Sequence, residues 1–263
     1  MTVNNEFEIL LRNLYIKDPC KVLPNALWKT YDRLNNLQCS HTCIDDEILE
    51  IKGLEQKGVY ILWNKSREVN QSLQLIMEES KFMIIHDDYF KKLDIHDYSQ
   101  VEPYFRIKHD NKKILPYSLS EDFYIKQANV EEEFSEISDF IGRCYKNLHP
   151  SPETVKSWTT YRVFDNSLWI WIMDKQKNIP AALGIAEFDS SVPEGSLEWI
   201  QVLPEYQGKG LGKVLVLELL NRLKGRVEFT TVSGEVDNET NPERLYRSCG
   251  FYGNDVWWLL RKS

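Results

Sequence analysis

A glycine-rich turn, Gln207 to Gly212, stands where a leucine-rich helical pattern begins. Half of its six residues are glycine, although each glycine costs a helix about 1 kcal/mol relative to alanine. The first backbone N–H groups of a helix lack internal partners and lie at the positive end of the helix dipole. Glycine allows a bulky diphosphate to approach those N–H groups closely. The turn therefore predicts a phosphate site, to which Lys209 and Lys213 add positive charge.

Three phosphate-binding patterns can be compared with this turn. A dinucleotide fingerprint that starts at Gly208 requires glycine at the position of Lys213. A P-loop requires Ser or Thr after its Gly-Lys pair, where the chain has Val214. The third pattern is Gln-x-x-Gly-x-Gly, preceded by a strand that ends in Val-Leu-Pro and followed by a leucine-rich helix. The stretch from Gln207 to Gly212 fits this third pattern.

A second segment, NPERLYRSCGF, runs from Asn241 to Phe251. Pro242 suits the first turn of a helix that has Asn241 as its cap. Gly250 suits the left-handed residue that ends such a helix. By itself, the segment predicts only a capped surface helix. Its position after the glycine-rich turn allows a second interpretation, in which the two segments belong to one site.

Together the two segments resemble the signature motifs of the GNAT (general-control-type N-acetyltransferase) acyltransferase superfamily, over about residues 120–263. The resemblance implies acetyl-CoA as co-substrate and no metal. It also implies a cleft between two splayed strands, in which the pantetheine arm binds like an added strand and the turn holds the diphosphate. The cofactor-binding residues that it implies are Val202, Leu203, Gln207, Gly208, Lys209, Gly210, Leu211, Gly212, Lys213 and Asn241.

Direct acyl transfer to an amine needs a base for the ammonium and an acid for the departing thiolate. Tyr246 matches the family position of the acid, and a phenol near its ordinary pKa of about 10 keeps its proton at pH 7. Its alternative role is a ring packed on the sheet. Glu198 is the candidate base, since strand alternation places it on one face with Ile200 and Val202; its alternative role is a rim carboxylate. Glu187 is the reserve base.

Hydrophobic patterning assigns the elements that must position these residues. In residues 116–263 the pattern predicts the order β-α-α-β-β-β-α-β-α-β. The strands are expected at 123–128, 167–174, 181–189, 195–203, 227–232 and 256–261, and the helices at 130–145, 151–161, from the glycine-rich turn to about 224, and near 241–248.

Residues 1–115 carry no recognised motif. A helix is predicted from the spacing of Phe7, Leu10, Leu11 and Leu14, and further elements at 58–63, 69–79 and 82–86. The predicted fold class is α/β (α+β), a GNAT-like mixed, splayed sheet flanked by helices with an additional N-terminal α/β domain. The expected domains are 1–115, of unknown role or a degenerate copy of the second, and 116–263, the acyltransferase.

The composition of the chain limits which binding partners and which cellular compartment are expected. The 263 residues carry a net charge of −8 at pH 7, which argues against a nucleic-acid partner, because phosphate backbones are bound by clustered Lys and Arg. Five scattered cysteines predict reduced thiols. No secretory pattern opens the chain, and no apolar stretch approaches the ~18 residues that span a bilayer. The expectation is a cytoplasmic protein without a membrane partner.

Other clusters of reactive side chains carry weaker signals. Cys249 has no adjacent histidine and is expected in the core. The segments 39–43 and 85–98 hold cysteine, histidine and aspartate without the ligand spacing of a known metal site. They are expected to be structural or solvated. The residues concerned are Cys39, His41, Cys43, His86, Asp87, Asp88, His96 and Asp97.

The function predicted from the sequence is an acetyl-CoA-dependent N-acyltransferase that acetylates a primary amine of a small molecule, amino acid or peptide. The alternative is a non-catalytic acyl-CoA-binding sensor or regulatory protein. The acceptor pocket is expected from about 130–161, and some of the tryptophans are expected to line it. The candidates are Trp158, Trp169, Trp171, Trp199, Trp257 and Trp258.

Overall fold

The computed structural model describes residues 3–145 and 148–263. Met1 and Thr2, which open the segment inspected for a secretory pattern, and Lys146 and Asn147, within the expected acceptor region, lie outside the described residues. The chain divides into two compact units. The expected domain boundary between residues 115 and 116 stays a prediction. The first unit comprises Met1–Lys108, Ser233–Glu243 and Tyr252–Ser263, and the second His109–Val232 and Arg244–Phe251.

The described part of the chain contains both helices and strands, with 3-10 turns at Asn166–Leu168 and Pro204–Tyr206. The order predicted for residues 116–263 is confirmed. The elements are α1 (Val3–Lys17), α2 (Pro19–Val22), α3 (Trp28–Leu34), β1 (Gln38–Ile44), β2 (Glu47–Glu55), β3 (Gly58–Asn64), α4 (Gln71–Glu79), β4 (Phe82–His86), α5 (Asp87–Phe90), β5 (Tyr98–His109), β6 (Phe123–Gln127), α6 (Phe134–Cys144), α7 (Pro152–Trp158), β7 (Trp169–Asp174), β8 (Ile179–Asp189), β9 (Glu194–Val202), α8 (Leu211–Leu223), β10 (Phe229–Glu235), α9 (Pro242–Ser248) and β11 (Tyr252–Lys262).

The first unit contains a sheet in the order β1-β2-β3-β4-β11-β5. β3 and β4 run parallel and are joined by α4, while their neighbours pair antiparallel. Within the described residues, β3 and β4 pair only at Gly58 with Phe82 and at Val59 with Met83. The core of this unit is apolar and includes Val59, Leu62, Leu73, Met77, Met83, Ile85, Tyr89 and Leu260.

The second unit contains strands in the order β10-β9-β8-β7-β6. Pairing is antiparallel except between β9 and β10, which are parallel and joined by α8. The α8 helix covers one face of the sheet, where a Cβ on Gly184 would meet Leu215 and Leu219. On the opposite face, the α7 residue Trp158 stacks on Trp199, with ring centroids 5.2 Å apart. The predicted mixed sheet flanked by helices is therefore confirmed.

The α6 helix begins later than the predicted residue 130. The carboxylate of Glu133 accepts hydrogen bonds from the Asn129 backbone N–H at 3.0 Å and from Trp171 Nε1 at 2.7 Å. The Asn129 side chain also accepts from the Glu131 N–H at 3.4 Å, and a side-chain bond of this kind holds the chain before Phe134 in a turn because it competes with the helix ladder.

Candidate active site

The glycine-rich turn has the backbone that a phosphate cradle requires. Gly208 and Gly210 adopt φ angles of 75° and 77°, in the left-handed region that residues with a Cβ rarely enter. A Cβ built on either residue would meet nothing within 4 Å. Both glycines therefore border open space, and the turn can admit a ligand against its backbone.

The N-terminus of α8 faces this space without a side-chain cap. Gly210 occupies the cap position, and the first backbone bond into the helix runs from the Val214 N–H to the Gly210 carbonyl at 3.2 Å. The N–H groups of Leu211, Gly212 and Lys213 precede that bond, and such groups have no partner within a helix. An anion at this position is favoured by these donors and by the helix dipole.

Two side chains of the turn reinforce this geometry. Lys213 is exposed in the first turn of α8. The Lys209 ammonium lies 5.2 Å from the centroid of the Tyr206 ring, a cation–π contact that holds its charge beside the turn. The Gln207 amide donates to the Val202 carbonyl at 3.4 Å, which ties the turn to the end of β9.

Gly212 has a packing role besides its backbone N–H group. A Cβ at Gly212 would lie 3.1 Å from Cδ2 of Leu245 and 3.7 Å from the Val202 side chain. The absence of a side chain lets α8 approach Leu245 closely. The third glycine of the turn is therefore explained by the fit between its two neighbouring elements.

The edge of β9 that faces β10 is open over most of its length. In the described residues the two strands pair only from Glu194 with Phe229 to Ser196 with Thr231. Beyond Ser196, β9 continues for six residues to Val202. The strands thus part as the resemblance implied, and a ligand can add to the free edge.

The backbone groups of β9 that face this edge differ from those expected. The Leu203 N–H donates to the Ala181 carbonyl at 3.1 Å, and the Leu203 carbonyl accepts from the Tyr206 N–H at 2.9 Å. Leu203 therefore already uses its N–H and one lone pair of its carbonyl, and its contact with the pantetheine arm stays a prediction. Because antiparallel bonds alternate along a strand, Val202 and Ile200 direct their backbone groups to the open edge. The sequence did not predict Ile200, because the pairing of β9 with β8 decides which alternate residues of β9 direct their backbone groups to the open edge.

A β-bulge in β9 occurs at the candidate base. Leu197 is opposite Ala186 and Trp199 is opposite Ile185, so Glu198 is the extra residue. A bulge interrupts the alternation of faces, so alternation alone no longer assigns Glu198 to the face of Ile200 and Val202, and its role as the base stays a prediction. Glu198 is half-buried.

The phenol of Tyr246 lies inside the second unit, 7% exposed. Burial raises the pKa of Tyr246, and the nearby groups Tyr145, Cys249 and Glu198 add to the shift. The phenol is therefore protonated at neutral pH and lies within electrostatic reach of Glu198. The arrangement brings together the two predicted catalytic groups.

The remaining candidate residues are placed as follows. Asn241 belongs to the first unit and precedes α9 with a left-handed φ of 47°, and its cofactor contact stays a prediction. Pro242 begins α9, and Gly250 follows it with φ 98°, as the sequence indicated.

Glu187 is buried on β8. Burial raises the pKa of Cys249, which agrees with a core thiol rather than a nucleophile.

The domain that contains this site matches a known protein-family model. Residues 134–251 match the model described as "Acetyltransferase (GNAT) family". Both signature segments lie within the match. Residues 134–251 are a GNAT acetyltransferase domain.

Solved structures similar to the chain share the fold at low sequence identity. A GCN5-related N-acetyltransferase from Sphaerobacter thermophilus is 14% identical with a TM-score of 0.63, and the match covers 83% of this chain and 78% of that one. A GNAT-family acetyltransferase from Colwellia psychrerythraea is 10% identical with a TM-score of 0.65, covering 98% and 97%. A tandem GNAT protein from the clavulanic acid biosynthesis pathway is 12% identical with a TM-score of 0.56, covering 96% and 94%. The search of curated proteins found no match.

The GNAT domain fits acetyl-CoA, the usual acyl donor of its family. The glycine cradle and the uncapped α8 N-terminus match a diphosphate, and the open edge of β9 matches the amides of pantetheine. These features and the family match support an acyl-CoA-dependent acetyltransferase in general. Among the described residues, no helix is long and apolar enough to cross a bilayer, and no group of three or more His, Cys, Asp or Glu side chains is arranged to hold a metal ion.

Proposed function

We propose that this protein is an N-acetyltransferase that moves the acetyl group of acetyl-CoA directly to a primary amine of a small molecule, amino acid or peptide. The observation that carries the proposal is the open, left-handed glycine cradle at the α8 N-terminus, in a domain that also brings a buried phenol near a carboxylate. The proposed binding residues are those of the turn from Gln207 to Lys213, with Val202, Ile200 and Asn241.

The proposed roles follow from the chemistry of each group. Acetyl-CoA supplies the acetyl group as a thioester. Glu198 accepts a proton from the acceptor ammonium, which frees the nitrogen lone pair to form the new C–N bond. Tyr246, which burial keeps protonated, gives its proton to the sulfur as the C–S bond breaks. The nitrogen loses a second proton as it becomes an amide, and that proton restores the phenol. Glu187, buried on β8, is the reserve for the base.

A panel of amines with acetyl-CoA tests this proposal. We expect release of free thiol together with an N-acetylated product, both measured for each amine, and neither when the amine is omitted. Tight binding of acetyl-CoA without turnover across a broad panel would favour the acyl-CoA sensor. Absence of acetyl-CoA binding in calorimetry would remove the proposed site altogether.

We propose further that the first unit is a degenerate copy of the GNAT fold. Its parallel strands β3 and β4, joined by α4, part after two residue pairs, as β9 and β10 part around α8. In place of an uncapped glycine turn, Asn70 caps α4 through its side chain, which accepts from the Leu73 N–H at 2.8 Å. The Asn64 N–H at the end of β3 donates to the Tyr89 hydroxyl at 2.8 Å. Side chains of this unit therefore occupy the positions that a cofactor would need.

A further inference from the structure

The β1 strand has one edge that no other strand of the described chain covers. β1 ends the strand order of the first unit and pairs with β2 on its other side. Within the described residues, β1 makes no backbone hydrogen bond besides this pairing. The open edge of a strand presents a row of N–H and C=O groups, which is a template for pairing with another strand.

The turn between β1 and β2 decides which residues direct their backbone groups to the open edge. Asp45 and Asp46, with φ angles of 48° and 62°, form a two-residue turn. Such a turn closes with a hydrogen-bonded pair of its flanking residues, here Ile44 and Glu47. Because bonded and non-bonded pairs alternate along antiparallel strands, every second residue before Ile44 is bonded to β2. The residues that direct their backbone groups outward are therefore Cys39, His41 and Cys43.

β1 lacks the features that protect a strand edge from other strands. Natural edges are short, bulged, or carry Lys, Pro or other charged residues. β1 is seven residues long and contains no Pro, Lys, Arg, Asp or Glu. The extra residue of the bulge between β1 and β2 is Leu49, on β2, so β1 itself is regular. By contrast β6, which ends the strand order of the second unit, has five residues and carries Lys126. The edge of β1 is therefore suited to a strand partner.

The sequence of β1 is complementary to itself in an antiparallel register centred on His41. In that register Ser40 lies opposite Thr42 of a second copy, which is a favourable hydroxyl pair, and Cys39 lies opposite Cys43. His41 meets His41 on the two-fold axis, and the outward backbone groups of all three bonded pairs meet in register. A contact of this kind uses the same surface on both copies and closes at two.

We propose that the open edge of β1 binds the same edge of a second copy of this chain, in an antiparallel register with His41 opposite His41. The register places Ile44, which is 58% exposed in the single chain, opposite Gln38 of the second copy. Burial of part of this apolar side chain then adds to the backbone hydrogen bonds. The dimer is independent of the proposed acetyltransferase reaction.

Light scattering during size-exclusion chromatography of the full chain, under reducing conditions, tests the dimer. From micromolar to millimolar concentration, we expect the mass to rise to twice that of one chain and no further. His41→Lys places like charges opposite each other while keeping a cation near Glu6, so the Kd of the dimer should rise at least about tenfold. Tyr124→Lys adds the same charge on β6 and should leave the Kd within about twofold. A chain that stays monomeric, masses beyond the dimer, or equal effects of the two variants would overturn the proposal.

The cysteines of β1 test the register itself. Bonded antiparallel pairs hold their Cα atoms about 5.5 Å apart, within the range of a disulfide. With copper phenanthroline as oxidant, we expect the wild type to form a disulfide-linked dimer. Neither Cys39→Ser nor Cys43→Ser alone should form it, whereas an equimolar mixture of the two variants should, because Cys43 of one chain then meets Cys39 of the other.

The double variant Cys39→Ser/Cys43→Ser is the control, because it measures any background from the remaining cysteines. Linkage of a single variant with itself as strong as in the wild type would indicate a different register and overturn the proposal. A mixture that links no better than the double variant would do the same.

Discussion

The phenol of Tyr246 is the residue on which the proposed chemistry most directly depends. A general acid contributes typically 10²–10⁴-fold to a rate. Tyr246→Phe keeps the ring and removes the proton, so we expect kcat to fall by about 10²-fold or more, while the Kd for acetyl-CoA stays within about twofold. Stopped assays and calorimetry measure the two quantities. Tyr124→Phe, on the exposed face of β6, is the control. A kcat that survives Tyr246→Phe would assign the ring to packing alone.

Burial of the same phenol makes stability depend on alkaline pH. The pKa of Tyr246 is raised in the folded state by burial, so folding favours the neutral form. That stabilisation is complete below the unfolded pKa of about 10 and is lost as pH rises through the folded pKa. Relative to Tyr246→Phe, the wild type should lose about 1.4 kcal/mol of unfolding free energy by pH 11. Urea unfolding at pH 8 and 11 measures the difference, and parallel losses in both proteins would contradict a buried neutral phenol.

Glu198 shows what a single residue's sequence context can and cannot predict. The strand pattern around Glu198 was sufficient to place it on the strand that borders the cleft. The bulge was not predictable, because it depends on which residues of β8 pair with β9.

At the scale of elements, α8 with its preceding turn is the feature that distinguishes a diphosphate site from an ordinary helix start. In Gly210→Asp the new carboxylate enters the open space over the turn and repels a phosphate. We expect the affinity for acetyl-CoA to fall by about 100-fold or more, since like charges in close contact cost several kcal/mol. Calorimetry measures the Kd.

The chain offers a matched control at the other end of the same helix. Gly225 has a φ of 75° and, like Gly210, would place a Cβ in open space. Gly225→Asp therefore carries the same backbone strain and charge away from the turn, and its affinity for acetyl-CoA should match the wild type within about twofold. Equal losses in both variants would point to a general effect of charge or strain.

Elements with strong local signals were the ones that the sequence predicted. The α8 stripe of leucines and the Asn-Pro start and glycine stop of α9 are local, and both helices are confirmed. The β1 strand was missed because its seven residues are exposed or only partly buried, so no apolar alternation marks it. The free edge at Val202 was implied by the family resemblance, whereas the bonds of Leu203 to Ala181 and Tyr206 could be found only in the structure.

At the scale of the whole molecule, the two units predict a binding stoichiometry. If the first unit is a degenerate copy whose helix α4 is capped by Asn70, the chain binds one acetyl-CoA. Titration calorimetry should give about one site per chain, and Gly210→Asp should leave no second, unaffected site. Two sites in the wild type, or one that survives in Gly210→Asp, would show that the first unit binds the cofactor.

The contact beneath Gly212 links diphosphate binding to acid catalysis. Leu245 lies where a Cβ of residue 212 would need room, at 3.1 Å, and the next residue along α9 is the proposed acid. A methyl group at this position would force the Leu245 side chain to give by a few tenths of an ångström, and we expect part of that shift to reach the neighbouring Tyr246. Gly212→Ala should therefore slow kcat by about three- to tenfold while donor affinity changes little. Diphosphate binding by the glycine-rich turn and the position of the Tyr246 phenol would then both depend on the close packing of Gly212 against Leu245. A substitution at either of these two positions would require a compensating substitution at the other.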